Sequence, residues 1–277
     1  MELYLREDFK AAWHGQDPYQ LLNKIDGEVF RNLEARRTYR FEFQGKGFFA
    51  KVHHGVGWKE IADNLLRFRM PVLGARNEWQ ALQKLQKLGI DTMTPVAFGE
   101  KGCNPARQQS FLITEELEKM SSLEDLCEHW KKSPPTYHLK KAVIEKLADI
   151  SQTLHDNGVN HRDYYFCHFL IPDGSFNRYT SNKKSQQVLR FYLIDLHRAQ
   201  VRETLPDRWR LKDLSGLFFS SMDYGFSQRD IFRFIRRYTG LPLKEAITKY
   251  QAMWHKIDKK SQKLYQRMER KAGHPNY

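Results

Sequence analysis

The sequence predicts a bilobal α+β fold, with a β-rich N-terminal lobe, a mainly helical C-terminal lobe and a cleft between them. Three observations predict it. Strand-type patterning is concentrated in the first 116 residues, helical periodicity dominates the rest, and two short apolar strands interrupt the helices. With 277 residues the chain is long enough for two lobes sharing an interface, assigned to residues 1–116 and 117–277.

In the first lobe, Tyr39-Arg-Phe-Glu-Phe43 alternates apolar and polar residues as a half-buried strand does. The turn-like Gln44-Gly-Lys-Gly47 and then Phe48-Phe-Ala-Lys-Val52 complete a hairpin. Alternation puts Phe49, Lys51 and His53 on one face of that second strand. An apolar stripe of Trp58, Ile61, Leu65, Leu66 and Phe68 predicts a helix over Gly57–Met70, facing either the core or a lipid surface. A further helix runs from about Ala75 to Leu88 through Trp79, Leu82 and Leu85, stopped by Gly89. Phe111-Leu-Ile-Thr114 reads as a strand leading into Glu115 and Glu116.

In the second lobe, Ser121-Ser-Leu-Glu124 is a capping-box signature opening a helix toward Trp130. Leu139, Val143, Leu147, Ile150 and Leu154 repeat at helical spacing up to Gly158. Phe169-Leu-Ile171 and Phe191-Tyr-Leu-Ile194 are the two short strands, flanking a polar loop over 172–190. From about Trp209 the chain reads as helices.

Lys and Arg number 46 against 33 Asp and Glu, a net charge of +13 that implies anionic partners. The segment Arg229–Lys271 carries 13 basic and 4 acidic residues, so much of the excess lies there. Cys103, Cys127 and Cys167 form no Cys-x-x-Cys pair, which argues against a zinc site or disulfide framework and for a reducing compartment. The N-terminal residues lack the apolar stretch of a signal peptide, and no apolar run has the length of a membrane span. A cytosolic protein, at most peripheral to a membrane, is expected.

The chemistry centres on two acids. His161-Arg-Asp163 follows a helix and precedes a strand, and a second strand, 32 residues on, ends in Asp195. Lys51 on a strand, Glu78 at a helix start, and Glu115-Glu116 complete an ordered set, each residue on the element type that phosphoryl transfer requires. The transferring group is anionic, so a lysine and a metal must offset its charge, and the attacking hydroxyl needs a carboxylate to receive its proton.

On these residues the chain resembles the protein-kinase-like superfamily, and within it the lipopolysaccharide core heptose(I) kinases of Gram-negative bacteria. The resemblance runs nearly end to end. Its segments are Phe30–Thr38, Phe48-Phe-Ala-Lys51, His161-Arg-Asp163, Ile194-Asp-Leu-His-Arg198, and above all Lys212–Ser220 with Gln228–Arg233. It implies ATP and Mg²⁺ as cofactors. Lys51 would hold the α/β-phosphates, oriented by Glu78, and Glu115 and Glu116 would lie beside the nucleotide. Asp163 would accept the proton of the sugar hydroxyl, with Arg162 in the same triplet, and Asp195 would hold Mg²⁺. Asp213 resembles the buried aspartate that braces the catalytic-loop backbone. There are departures. His168 stands where protein kinases carry a metal-binding asparagine; imidazole is a poor Mg²⁺ ligand, so a positioning role toward Asp163 or a phosphate and one dominant metal are expected. No Gly-x-Gly-x-x-Gly is present, so Arg36 and Arg37 are expected to supply charge over the phosphates. Phe49 replaces the small residue expected beside adenine.

Only Leu196 to about Arg208 separates Asp195 from the next helix, with no Ala-Pro-Glu, which is short for a peptide platform and suits a glycolipid acceptor. The resemblance implies nascent lipopolysaccharide as that acceptor, at the cytosolic face of the inner membrane. The basic surface also allows an acidic helper such as acyl carrier protein. A kinase for the neighbouring Kdo sugar, a protein kinase, a pseudokinase scaffold, and a nucleic-acid module built on Arg233-Phe-Ile-Arg-Arg-Tyr238 are the rival readings.

Overall fold

The computed structural model describes residues 1–33, 35–66, 71–176 and 189–272. They form an α+β protein whose chain falls into two compact units. The first comprises Met1–Lys87, Thr92–Glu118 and Leu196–Arg198, and the second Leu88–Asp91, Lys119–Asp195 and Ala199–Tyr277.

The first unit is built on a six-stranded sheet in which every neighbouring pair is antiparallel. Its strands are β1 (Glu2–Leu5), β2 (Glu28–Leu33), β3 (Arg36–Phe43), β4 (Lys46–His53), β5 (Pro95–Lys101) and β6 (Gln109–Glu115), in the spatial order β1-β5-β6-β4-β3-β2. The hairpin read from the alternation is β3–β4, turning at Gln44 and Gly45. Tyr39, Phe41, Phe48, Ala50 and Val52 point from it into a core shared with Phe111 and Ile113 of β6. Two short helices close that core, α1 (Glu7–Ala12) through Phe9 and α2 (Pro18–Lys24) through Leu22. The sequence reading assigned no element to β1, α1, α2 or β5. In β5 five consecutive residues from Pro95 to Gly99 are buried, so the polar/apolar alternation that identifies a strand is absent.

The helix α3 spans Gly57–Leu66; Phe68 and Met70 lie outside the described residues. Among the described residues of its apolar stripe Ile61 alone is buried, while Trp58, Leu65 and Leu66 are 62, 53 and 78% exposed. The helix expected from Ala75 is α4 (Arg76–Lys87), with Trp79, Leu82 and Leu85 inward and Trp79 stacked on Phe98.

In the second unit β7 (Met120–Ser122) leads into α5 (Leu123–Cys127). The capping box there is one residue later than expected. Ser122, not Ser121, is the N-cap, and Asp125, not Glu124, returns the bond, while the Ser121 hydroxyl is taken by Asp173. The helix α6 (Tyr137–Asp156) carries the predicted leucine and isoleucine face. After it come β8 (Val159–Asn160), β9 (Phe169–Pro172), β10 (Tyr192–Leu193) and β11 (Gln200–Val201), paired as β10-β9-β7 and β11-β8. Most of the polar loop expected over 172–190 lies outside the described residues. Four helices follow: α7 (Asp207–Ser221), α8 (Gln228–Thr239), α9 (Leu243–Lys249) and α10 (Gln251–Ala272). Ala148 of α6, Leu214 of α7, Tyr238 of α8 and Ile257 of α10 meet in one apolar cluster.

Candidate active site

Lys51 lies on β4 opposite Thr38 of β3, and Glu78 lies in the first turn of α4. Their side chains meet, with Lys51 Nζ 2.6 Å from Glu78 Oε1. The glutamate is buried and the lysine nearly so. Removing either partner would strand a charge away from water, so the pair is held as a unit.

The same register sorts the neighbouring candidates. Cross-strand partners share a face, and Arg36 pairs with His53 and Thr38 with Lys51, so Arg36 stands on the face of Lys51. Arg37 pairs with Val52 on the opposite face, its guanidinium 4.4 Å from the Tyr39 ring centroid. The two arginines therefore start from opposite faces of the sheet, because successive strand residues point opposite ways. His53 is buried beside this group. Burial first, then the charges of Arg36, Lys51 and His197, pushes its imidazole down to about 3, so it is neutral at ordinary pH.

Glu115 and Glu116, at the end of β6, are already engaged. Glu115 forms an ion pair with Arg6 at 2.6 Å and Glu116 with Arg40 at 2.9 Å. Their N–H groups donate to the carbonyls of Thr94 and Gly47. Both side chains are thus partly committed to holding the sheet to its flanking residues. Phe49 packs against Phe30, ring centroids 5.3 Å apart.

The second unit carries the acids. The loop after β8 holds His161, Arg162 and Asp163, and Arg162 has φ +74°, a left-handed conformation costing a non-glycine residue on the order of 1–3 kcal/mol. What holds it is Asp213, fully buried on α7. One carboxylate oxygen accepts the His161 N–H at 2.7 Å and the other the Arg162 N–H at 2.8 Å. His155 of α6 stands 3.7 Å from the same carboxylate and is bonded through Nδ1 to the Tyr238 hydroxyl. Nothing in the sequence marks His155 or Tyr238 as a support beyond a place on a core-facing side of a helix. Gly216 lets α7 come this close, since a Cβ there would lie 3.0 Å from the Tyr164 carbonyl oxygen.

A second left-handed residue is Asp195, φ +60°, just past β10. Three hydrogen bonds tie its segment to the loop. His161 Nε2 donates to the Ile194 carbonyl at 2.8 Å, burial holding that ring neutral. The Ile194 N–H donates to the His168 carbonyl at 3.0 Å. His168 Nδ1 donates to the Asp163 carbonyl at 2.6 Å, which turns its Nε2 to Asp195 Oδ2 at 3.5 Å. His168 thus stands against the backbone of one acid and the side chain of the other. The second unit thus sets two acids on short connections, next to left-handed backbone and braced by a buried aspartate, and the first unit sets a strand lysine against a helix glutamate.

Two of the three arginines of the Arg233–Tyr238 motif are tied down. Arg233 pairs with Asp230 and Arg237 with Asp149, while Ile235 and Tyr238 are buried, which describes an ordinary amphipathic helix. The three cysteines are free. No described helix is long and apolar enough to cross a membrane.

Known proteins agree with this build. The profile of the lipopolysaccharide kinase (Kdo/WaaP) family matches residues 21–238. The lipopolysaccharide core heptose(I) kinase WaaP of Pseudomonas aeruginosa is 46% identical over 270 residues, 98% of each chain. That of Escherichia coli K12 is 45% identical over 96% of this chain and 98% of its own. A solved structure of WaaP in complex with acyl carrier protein aligns with a TM-score of 0.81 at 42% identity, covering 96% of this chain and all of that one. The fold and the family match are those of a phosphotransferase. The chain belongs to the lipopolysaccharide kinase (Kdo/WaaP) family.

Proposed function

We propose that the chain is a lipopolysaccharide core heptose(I) kinase, moving the γ-phosphoryl of ATP to a hydroxyl of the first inner-core heptose. The observation that carries the reading is the match to heptose(I) kinases over 98% of both chains. In this reading the first unit serves the nucleotide and the second the acceptor. Lys51, fixed by Glu78, neutralises the α/β-phosphates, and Arg36 adds charge where a glycine-rich loop is lacking. Asp163 receives the hydroxyl proton as the new P–O bond forms, with Arg162 at its side. His168 fixes the Asp163 backbone through its 2.6 Å bond and lies against Asp195.

Mg²⁺ suits the donor set. No cluster of three metal-ligating side chains occurs among the described residues. At phosphoryl-transfer sites, however, this ion takes one or two carboxylates and completes its shell with phosphate and water. Asp195, with a carboxylate one-third exposed, is the residue that would hold it. Mg²⁺ would there offset the charge of the bridging phosphates.

The acceptor is membrane-held, so the enzyme works as a peripheral protein on the cytosolic face of the inner membrane. Its positive surface suits that anionic face, each exposed Lys or Arg contributing about 1 kcal/mol near it. An acyl carrier protein is the proposed helper, since a related kinase has been solved with one. An apolar cavity of ≈ 290 Å³, lined by Ile144, Leu147, Leu214, Phe218, Phe234 and Trp254, is suited to an acyl chain.

The test is phosphate incorporation from labelled ATP into purified core glycolipid, followed by mass spectrometry of the product. Phosphate on the first heptose, and a loss of turnover of roughly 10²–10⁴-fold in Asp163→Ala with ATP binding retained, are expected. Phosphate on the neighbouring Kdo would replace the proposed acceptor.

A further inference from the structure

Four cations converge on the indole of Trp209, in the first turn of α7. The guanidinium carbons of Arg162, Arg202 and Arg208 lie 5.2, 5.5 and 5.4 Å from a Trp209 ring centroid, and Lys212 Nζ lies 5.8 Å away. Three separate stretches supply them: the loop bearing Asp163, the residue following β11, and the start of α7. Such a gathering of like charge is unfavourable, and an aromatic face offsets only part of the repulsion.

Neighbouring acids do not offset the rest at Arg202 and Arg208. Arg202 spends its fork on the amide oxygens of Asn160 and Gln200, which are neutral. Arg208 is exposed and its contact is with the ring. Glu203 and Asp207, the acids nearest in sequence, are exposed, and among the described residues neither forms an ion pair with the cluster. Burial, and after it the charge of Arg208, holds the Arg202 guanidinium below its usual range, as expected of a cation placed among its like. The indole N–H is itself buried without an acceptor among the described residues.

We infer that this ring of cations is an oxyanion subsite for the glycolipid acceptor, gripping a carboxylate or phosphate on it beside the hydroxyl that meets Asp163. The inference rests on the kinase reading above and extends it. The nucleotide's phosphates are there assigned to Lys51 and Asp195, so a second cationic centre is left for the other anionic reactant. The fork of Arg208 matches either oxyanion in two-point geometry, Arg202 adds charge beside it, and Arg162 joins the subsite directly to the loop of Asp163.

The experiment uses the full chain, with Arg208→Gln, Arg208→Lys and Arg202→Gln. The acceptor KM is expected to rise roughly tenfold in each glutamine variant, with kcat and the KM for ATP within about twofold. Arg208→Lys should recover part of the loss, since it keeps charge but not the fork. Acceptor treated with phosphatase, and acceptor with its carboxylates reduced, separate the two sources: the treatment that abolishes the difference between wild type and Arg208→Gln names the group. Binding of untreated glycolipid micelles without ATP is measured in parallel. An unchanged affinity in Arg208→Gln, or a rise in the KM for ATP equal to that for acceptor, overturns the subsite. A wild-type chain that binds glycolipid but transfers no phosphate overturns the kinase reading instead, and the micelle titration still decides the subsite.

Discussion

Asp213 commits both carboxylate oxygens to backbone N–H groups, and that is what a side-chain amide cannot repeat. Asp213→Asn turns one acceptor into a donor facing a donor, inside a fully buried site. A loss of about 2–4 kcal/mol is expected, from an unsatisfied buried amide and a lost charge-assisted bond. Thermal unfolding of the variant reads the stability. Turnover should fall further than stability alone explains, because the strained Arg162 then relaxes and carries Asp163 with it. A variant as stable and active as the wild type would remove Asp213 from the support of the loop. Sequence reading reached Asp213 through resemblance, but His155 and Tyr238 beneath it are aligned only by packing.

The β8–β11 pair sets where the catalytic loop begins, and Gly158 is its critical point. It has φ +76°, and a Cβ there would lie 1.9 Å from the Arg202 carbonyl oxygen, a backbone atom with nowhere to move. Its own carbonyl accepts the Arg202 N–H at 2.9 Å. Gly158→Ala is therefore expected to cost more than about 3 kcal/mol, the strain of the left-handed conformation plus displacement of the β11 segment. Urea unfolding would measure it; a cost under about 1 kcal/mol would show that the pair is not needed. In sequence Gly158 reads only as a helix stop. The hairpin β3–β4 was legible over Tyr39–Val52 because its two faces differ, but β3 begins at Arg36, in a stretch that reads as loop. The capping box slipped by one residue because Ser121 and Ser122 are equally good caps locally, and only the long-range bond of the Ser121 hydroxyl to Asp173 distinguishes them.

Buried imidazoles and the excess of positive charge govern how the whole chain responds to its solution. His53 is neutral in the folded chain down to about pH 3, whereas an exposed ring takes its proton near 6.5. Above pH 6.5 folded and unfolded chains carry the same charge there. Below it the unfolded chain binds a proton that the folded one refuses, so stability falls by about 1.4 kcal/mol per pH unit between those limits. His155 and His161 shift the same way, burial again being the leading cause. Urea midpoints are thus expected to drop between pH 7 and pH 5, and less so in His53→Gln; midpoints independent of pH would contradict these assignments. Salt acts on the other property. Raising it from low to physiological should weaken acceptor binding more than ATP binding, because the acceptor is met by exposed charge and screening acts there first. Equal sensitivity in titrations of the two would argue against the basic surface as the docking face.

The sequence alone determined the α+β class, the order of the elements around the site, the excess of positive charge and the residue types available for phosphoryl transfer. These follow from composition and from periodicities of two and 3.6 residues, which are local properties of a chain. Tertiary structure decided the rest. The cross-strand register puts Arg36 with Lys51 and sends Arg37 to Tyr39. Ion pairs with Arg6 and Arg40 take the carboxylates of Glu115 and Glu116. Distant stretches bring four cations to Trp209. Each of these depends on residues far apart in the chain, and the free energy that fixes such contacts is gained only when packing excludes water from several elements together.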